Sequence, residues 1–107
     1  MKRVVIESPF AGDVEGNRAY LHQCCIDSLR RGESPYASHG FFVYFLDDLK
    51  PDERQLGIDA GLAWGDVADV VAVYTDRGIS GGMEYAIEKH KKDGRTIEYR
   101  SIEGEKR

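Results

Sequence analysis

Cysteine is scarce in this chain: only Cys24 and Cys25, side by side. Neighbours on a helix diverge around its axis, so no disulfide is expected between them. With no second pair and no spaced histidine they do not form a zinc site, and neither a metal nor a cofactor is expected. The chain reads as one from a reducing, cytoplasmic compartment. Long apolar runs are also lacking. None approaches the ~20 residues of a membrane span, so no membrane partner is expected. A basic excess is missing too: the formal net charge is −4, which weighs against a polymeric nucleic acid as partner. There is no internal repeat, low-complexity tract or linker. The 107 residues bound a single domain, 1–107.

What is present is an alternation of apolar and helical patterns. The N-terminus is basic and then apolar, and Glu7 interrupts it too early for a signal peptide. Lys2 to Glu7 is therefore expected as a buried strand. Ser8 to Gly16 is a loop, followed by a helix over Asn17 to Arg31 capped by Asn17 or Asp13. Leu21, Cys24, Cys25, Ser28 and Leu29 share its apolar face. Pro35 to Ser38 is a short strand. Phe41 to Leu46 is an aromatic run that fits either an edge strand or a wall folded over a pocket. Pro51 opens a helix to about Gly65, with Leu56, Ala60, Ala63 and Trp64 on its apolar side. A strand over Asp69 to Tyr74, a helix over Ser80 to Asp93 and a strand over Thr96 to Arg100 follow, and Ser101 to Arg107 is a charged, frayed tail.

Strands alternating with helices imply a parallel sheet with right-handed crossovers, here a three-layer α/β domain with four or five strands. Ligands of such sheets bind beyond the carboxyl ends of the strands. The distinctive loops fall there: Ser8 to Asp13, His39 to Phe42, and Asp76 to Gly82. The last carries the strongest signal. An apolar strand runs into Gly78-Ile79-Ser80-Gly81-Gly82-Met83, which opens a helix. Free backbone N–H groups and the positive end of the helix dipole make this turn a natural anion site. A plainer reading is that Ser80 only caps the helix and the glycines only make the turn.

Ser8-Pro9-Phe10-Ala11-Gly12-Asp13, together with Gly78 to Met83, a helix, Gly94 and a strand, resembles the signatures of nucleoside 2-deoxyribosyltransferase-like proteins. A small bacterial and phage branch shares the opening loop, a histidine after the second strand and a stretch like Tyr44-Phe45-Leu46-Asp47-Asp48. The resemblance spans nearly the whole chain. It implies a Rossmann-like, flavodoxin-like sheet and a pocket for a small nucleoside or nucleotide. It also implies cleavage or exchange of an N-glycosidic bond, with a glutamate at the anomeric carbon and an aspartate positioning the sugar or handling a proton.

The register of the resemblance puts Ala86 where that glutamate is expected. Glu84, the best carboxylate available, lies about 200° away around the helix. Binding without turnover, as in a sensor or sequestering protein, is thus the alternative to an N-glycosidase or transferase. The candidate catalytic residues are Glu84, Asp13 and Asp48. The candidate binding residues are Ser8, Pro9, Phe10, Gly12, His39, Phe41, Gly78, Ser80, Gly81, Gly82 and Met83. Asp13 would accept hydroxyl protons, or else cap the first helix. Asp47 and Asp48 are either a split acid–base pair or a solvated loop. His39 would donate to a phosphate or act as an acid, or make a structural bond. Phe41, Phe42, Tyr44 and Phe45 are candidates for base stacking or for packing. His22 and His90 read as surface groups, and Asp66 and Asp69 as structural. The aromatics also lead to the expectation of a homo-oligomer.

Overall fold

The structure, a computed structural model, describes residues 1–104. Two strands form its centre. β1 (Arg3–Glu7) and β3 (Val70–Tyr74) are rich in β-branched residues and pair in parallel, Val4 opposite Val70 and Val5 opposite Val71. A central parallel strand is covered on both faces, which is why both read as continuous apolar runs rather than alternating ones. β2 (Ser34–Tyr36) flanks β1 and β4 (Ile97–Arg100) flanks β3, so the sheet order is β2-β1-β3-β4, all parallel.

Alternate residues of the strands face opposite layers. On one side Val4, Ile6, Val70, Ala72 and Tyr74 pack against Tyr20, Leu21 and Cys24 of α1 (Val14–Arg30). On the other, Val5, Val71 and Val73 meet Met83 and Ile87 of α3 (Gly81–Lys92). α2 (Pro51–Trp64) leans against α3 and the segment after β2. The chain is thus a three-layer Rossmann-like α/β fold with four parallel strands.

Several local expectations change. α1 begins at Val14, because the Asp13 side chain accepts from the Gly16 N–H at 3.1 Å and caps the helix there. Leu29, expected on the apolar face, is exposed, and Tyr20 is buried instead. The aromatic run Phe41 to Leu46 is not an edge strand but the wall of a pocket: it holds the 3-10 turn Phe42–Tyr44, preceded by another at Ser38–Gly40, and Phe42, Val43 and Leu46 line a cavity. α2 turns a different face inward. Gly57, Ile58, Gly61 and Leu62 face the interior, while Leu56 and Trp64 are exposed. Glycine permits this approach: a Cβ at Gly61 would lie 2.5 Å from the Cβ of Ser38.

His90 is not a surface group but fully buried. The start of the tail is not frayed either. Asp76 accepts from the N–H groups of Ile102 and Glu103 and from the Ser101 hydroxyl. The remainder of the expected tail, 105–107, lies outside the described residues.

Candidate functional site

The chain leaves β1 and β3 in opposite directions, through α1 to β2 and through α3 to β4. At such a switch point the following loops part and leave a crevice beyond the strand ends. Here it is a cavity of about 250 Å³. That lies just under the ~300–1,000 Å³ usual for small-molecule sites. Glu7 and Ser8 line it from the end of β1, and Ser80, Gly81, Gly82, Met83 and Ala86 from α3. Phe10, His39, Phe42, Val43 and Leu46 supply an apolar and aromatic wall, and α2 closes it with Ile58, Gly61 and Leu62.

The start of α3 is open to the cavity. Ser80 is the N-cap, its Oγ accepting from the Met83 N–H at 3.3 Å. The N–H groups of Gly81 and Gly82 have no partner among the described residues. A Cβ on either glycine would meet nothing within 4 Å, so this end of the cavity is free space. Unpaired N–H groups and the helix dipole favour an anion there. Arg54 is the only Arg or Lys on the wall among the described residues, and its Nε lies 3.7 Å from Oδ1 of Asp48.

Glu7 is held from behind. Its Oε2 lies 2.9 Å from Nε2 of His90, and Nδ1 of His90 lies 2.8 Å from Nη1 of Arg95. A guanidinium only donates, so Nδ1 accepts and Nε2 carries the proton that His90 gives to Glu7. The ring is neutral and its tautomer is fixed by its neighbours. Arg95 is anchored in turn by Asp66 and Asp93. Beside Glu7, the Ser8 hydroxyl lies 2.7 Å from Nε2 of His39. Burial pushes the His39 pKa down, and the Glu7 charge pulls against it.

Residues 2–100 match a family described as Domain of unknown function (DUF7768). The chain belongs to that family. No curated protein and no solved structure matches this DUF7768 chain at a significant level.

The structure gathers part of the expected set. Ser8, Phe10, His39, Asp48, Ser80, Gly81, Gly82 and Met83 line the cavity. Glu84 is exposed in the first turn of α3 and does not line it. Asp13 caps α1 and lies off the cavity, and Gly12 and Gly78 shape the adjoining turns with φ of 93° and 80°. Pro9 and Phe41 line a second cavity of about 510 Å³ between α1 and the aromatic segment. Phe42 takes the place at the first cavity expected of Phe41.

Glu7, His90 and Arg54 are the wall or support residues that no motif marked as a site, while Phe42 is the aromatic candidate that the wall uses. Glu7 carries a signal, an acidic residue closing the apolar run Val4-Val5-Ile6 of β1. His90 had one too: Met83, Ala86, Ile87 and His90 are the buried residues of α3 and recur at helical spacing. The lysines around His90 disguised it.

Proposed function

We propose that this DUF7768 chain binds a nucleoside 5′-monophosphate, or the parent nucleoside, in the switch-point cavity. The carrying observation is the pairing, in one small cavity, of the free N–H groups of Gly81 and Gly82 with an aromatic wall of Phe10 and Phe42. The phosphate sits at the start of α3, in the cavity whose wall also carries Arg54. The base lies against the wall, where an aromatic contact is worth ~1–3 kcal/mol per base in single-strand binders. A volume of about 250 Å³ favours one small ligand over a polymer. The resemblance to nucleoside 2-deoxyribosyltransferase-like proteins supports the same ligand class, and supports cleavage or transfer at the N-glycosidic bond as the chemistry. The second reading, binding without turnover, is favoured by Glu84 lying off the cavity and Ala86 on its wall.

The test is thermal melting with a panel of ribo- and deoxynucleosides and their 5′-monophosphates. Monophosphates should raise the melting temperature more than nucleosides, and Arg54→Ala should reduce that difference. No shift with any member at millimolar concentration would sink the reading.

A further inference from the structure

We infer that Glu7 is the reactive carboxylate of this pocket, the group that meets the anomeric carbon of the bound nucleotide. The inference rests on the nucleotide reading above. Four observations lead to it.

First, Glu7 ends a central strand and lines the cavity. Its Oε2 is occupied by His90, while Oε1 has no partner among the described residues. One oxygen is held and the other is left for a ligand.

Second, the holding group is rigid. The His90 side chain is 0% exposed and that of Arg95 10%. A neutral imidazole fixed by a buried guanidinium orients a carboxylate without protonating it. This is the support a reacting group needs.

Third, the spacing along α3 fits a nucleotide. Gly82, Ala86 and His90 are successive residues four apart, so they lie on one side of the helix. Each step rises about 6 Å, close to the span from a 5′-phosphate across its pentose. A phosphate on the Gly82 N–H therefore puts the sugar beside Ala86. His90, one turn further, brings the Glu7 carboxylate up to that side. The small Ala86 side chain leaves it room.

Fourth, the other acids are engaged or absent. Asp48 faces Arg54, and Glu53 accepts from the Asp47 N–H at 2.8 Å and faces Lys50. Glu84 is outside the cavity.

The chemistry follows from that placement. An oxygen of Glu7 bonds to the anomeric carbon as the C–N bond breaks. The electron pair of that bond stays on the base nitrogen, which takes a proton from water. Water then bonds to the same carbon, the Glu7 oxygen leaves with its electron pair, and the remaining water proton balances the hydroxide formed earlier. The products are free base and sugar 5′-phosphate, and water is the only co-reactant. A carboxylate reacting in this way develops its bond as positive charge grows on the carbon.

The experiment uses the full chain and a panel of deoxynucleoside 5′-monophosphates, with thermal shift for binding and chromatography for free base. Wild type should bind and release base. Glu7→Gln keeps an oxygen to accept from His90, so it should bind with a similar shift and release base at least 100-fold more slowly. Peptide mass spectrometry of acid-quenched wild type should place a sugar-phosphate adduct on Glu7. Should Glu7→Gln not fold, the adduct decides. Release by Glu7→Gln at the wild-type rate, or an adduct on another residue, overturns the role of Glu7 and leaves the nucleotide reading standing. Wild-type binding without release overturns the reactive role and supports the sensor reading. No binding at all overturns both.

Discussion

The Ser8 hydroxyl and Nε2 of His39 lie 2.7 Å apart, joining the end of β1 to the first 3-10 turn. The bond ties the aromatic wall to the sheet, and burial keeps His39 neutral by lowering its pKa from the ordinary 6.5. The folded state therefore binds fewer protons than the unfolded state in the window just below 6.5. Stability from this site is complete above that value and is lost as pH falls through the depressed folded value. Urea titrations at about pH 7.5 and about pH 5 should show wild type weakening at the lower pH. His39→Gln should show a flatter dependence. An unchanged slope in that variant would assign the pH effect elsewhere.

Arg100 clasps Glu33 with two N–H···O bonds of 2.8 Å, and the Arg100 side chain is only 2% exposed. Tyr74, Ser28 and Glu98 complete the network, and the Arg100 hydrogen bonds hold the Glu33 carboxyl below its usual range. Removing one partner strands the other charge. Arg100→Met should cost about 3–5 kcal/mol, read as a lower urea midpoint. Replacing both residues with apolar ones should recover much of that loss.

Asp76 pins residues 101–103. Burial works against its charged form, but the hydrogen bonds from Ser101, Tyr20 and the backbone of Ile102 and Glu103 outweigh it and leave its pKa well below the ordinary 3.8. Asp76→Ala should lose about 1–3 kcal/mol and make the segment after β4 a site of early proteolytic cleavage. In wild type the contribution is full above 3.8 and fades only as pH falls through the depressed folded value. Limited proteolysis at neutral pH separates variant from wild type.

Gly82 borders open space, so a side chain there burdens the ligand rather than the fold. Gly82→Leu should match or exceed wild-type stability by up to about 1 kcal/mol, because leucine is the better helix former. Its nucleotide-induced melting shift should vanish. A retained shift would move the phosphate away from the start of α3.

Gly61 is the opposite case. A Cβ there would meet the Cβ of Ser38 at 2.5 Å and its Oγ at 2.6 Å. Gly61→Ala should cost about 1–3 kcal/mol through overpacking, measured by chemical denaturation. It should also lift α2 from the cavity.

Much of the fold is legible from local pattern. β1 and β3 are apolar and β-branched, α3 has Met83, Ala86 and Ile87 at helical spacing, and Asp13, Ser80 and Pro51 punctuate the helices as their chemistry demands. These are interactions within a few residues, so the order of amino acids alone carries them. The weak pattern of α2 points to the wrong face. Its glycines, not its larger apolar residues, mark the packed side, and a missing side chain leaves no hydrophobic signal.

By itself the sequence determined the alternating strands and helices, the caps, and the glycine turn with free N–H groups at the start of α3. Only the tertiary structure decided which carboxylate faces the cavity. Glu7 and His90 are 83 positions apart, and Arg95 lies beyond them on the approach to β4. No periodicity links such residues. They meet because the parallel pairing of β1 with β3 lays α3 across both strands, bringing a buried ring against the last side chain of β1.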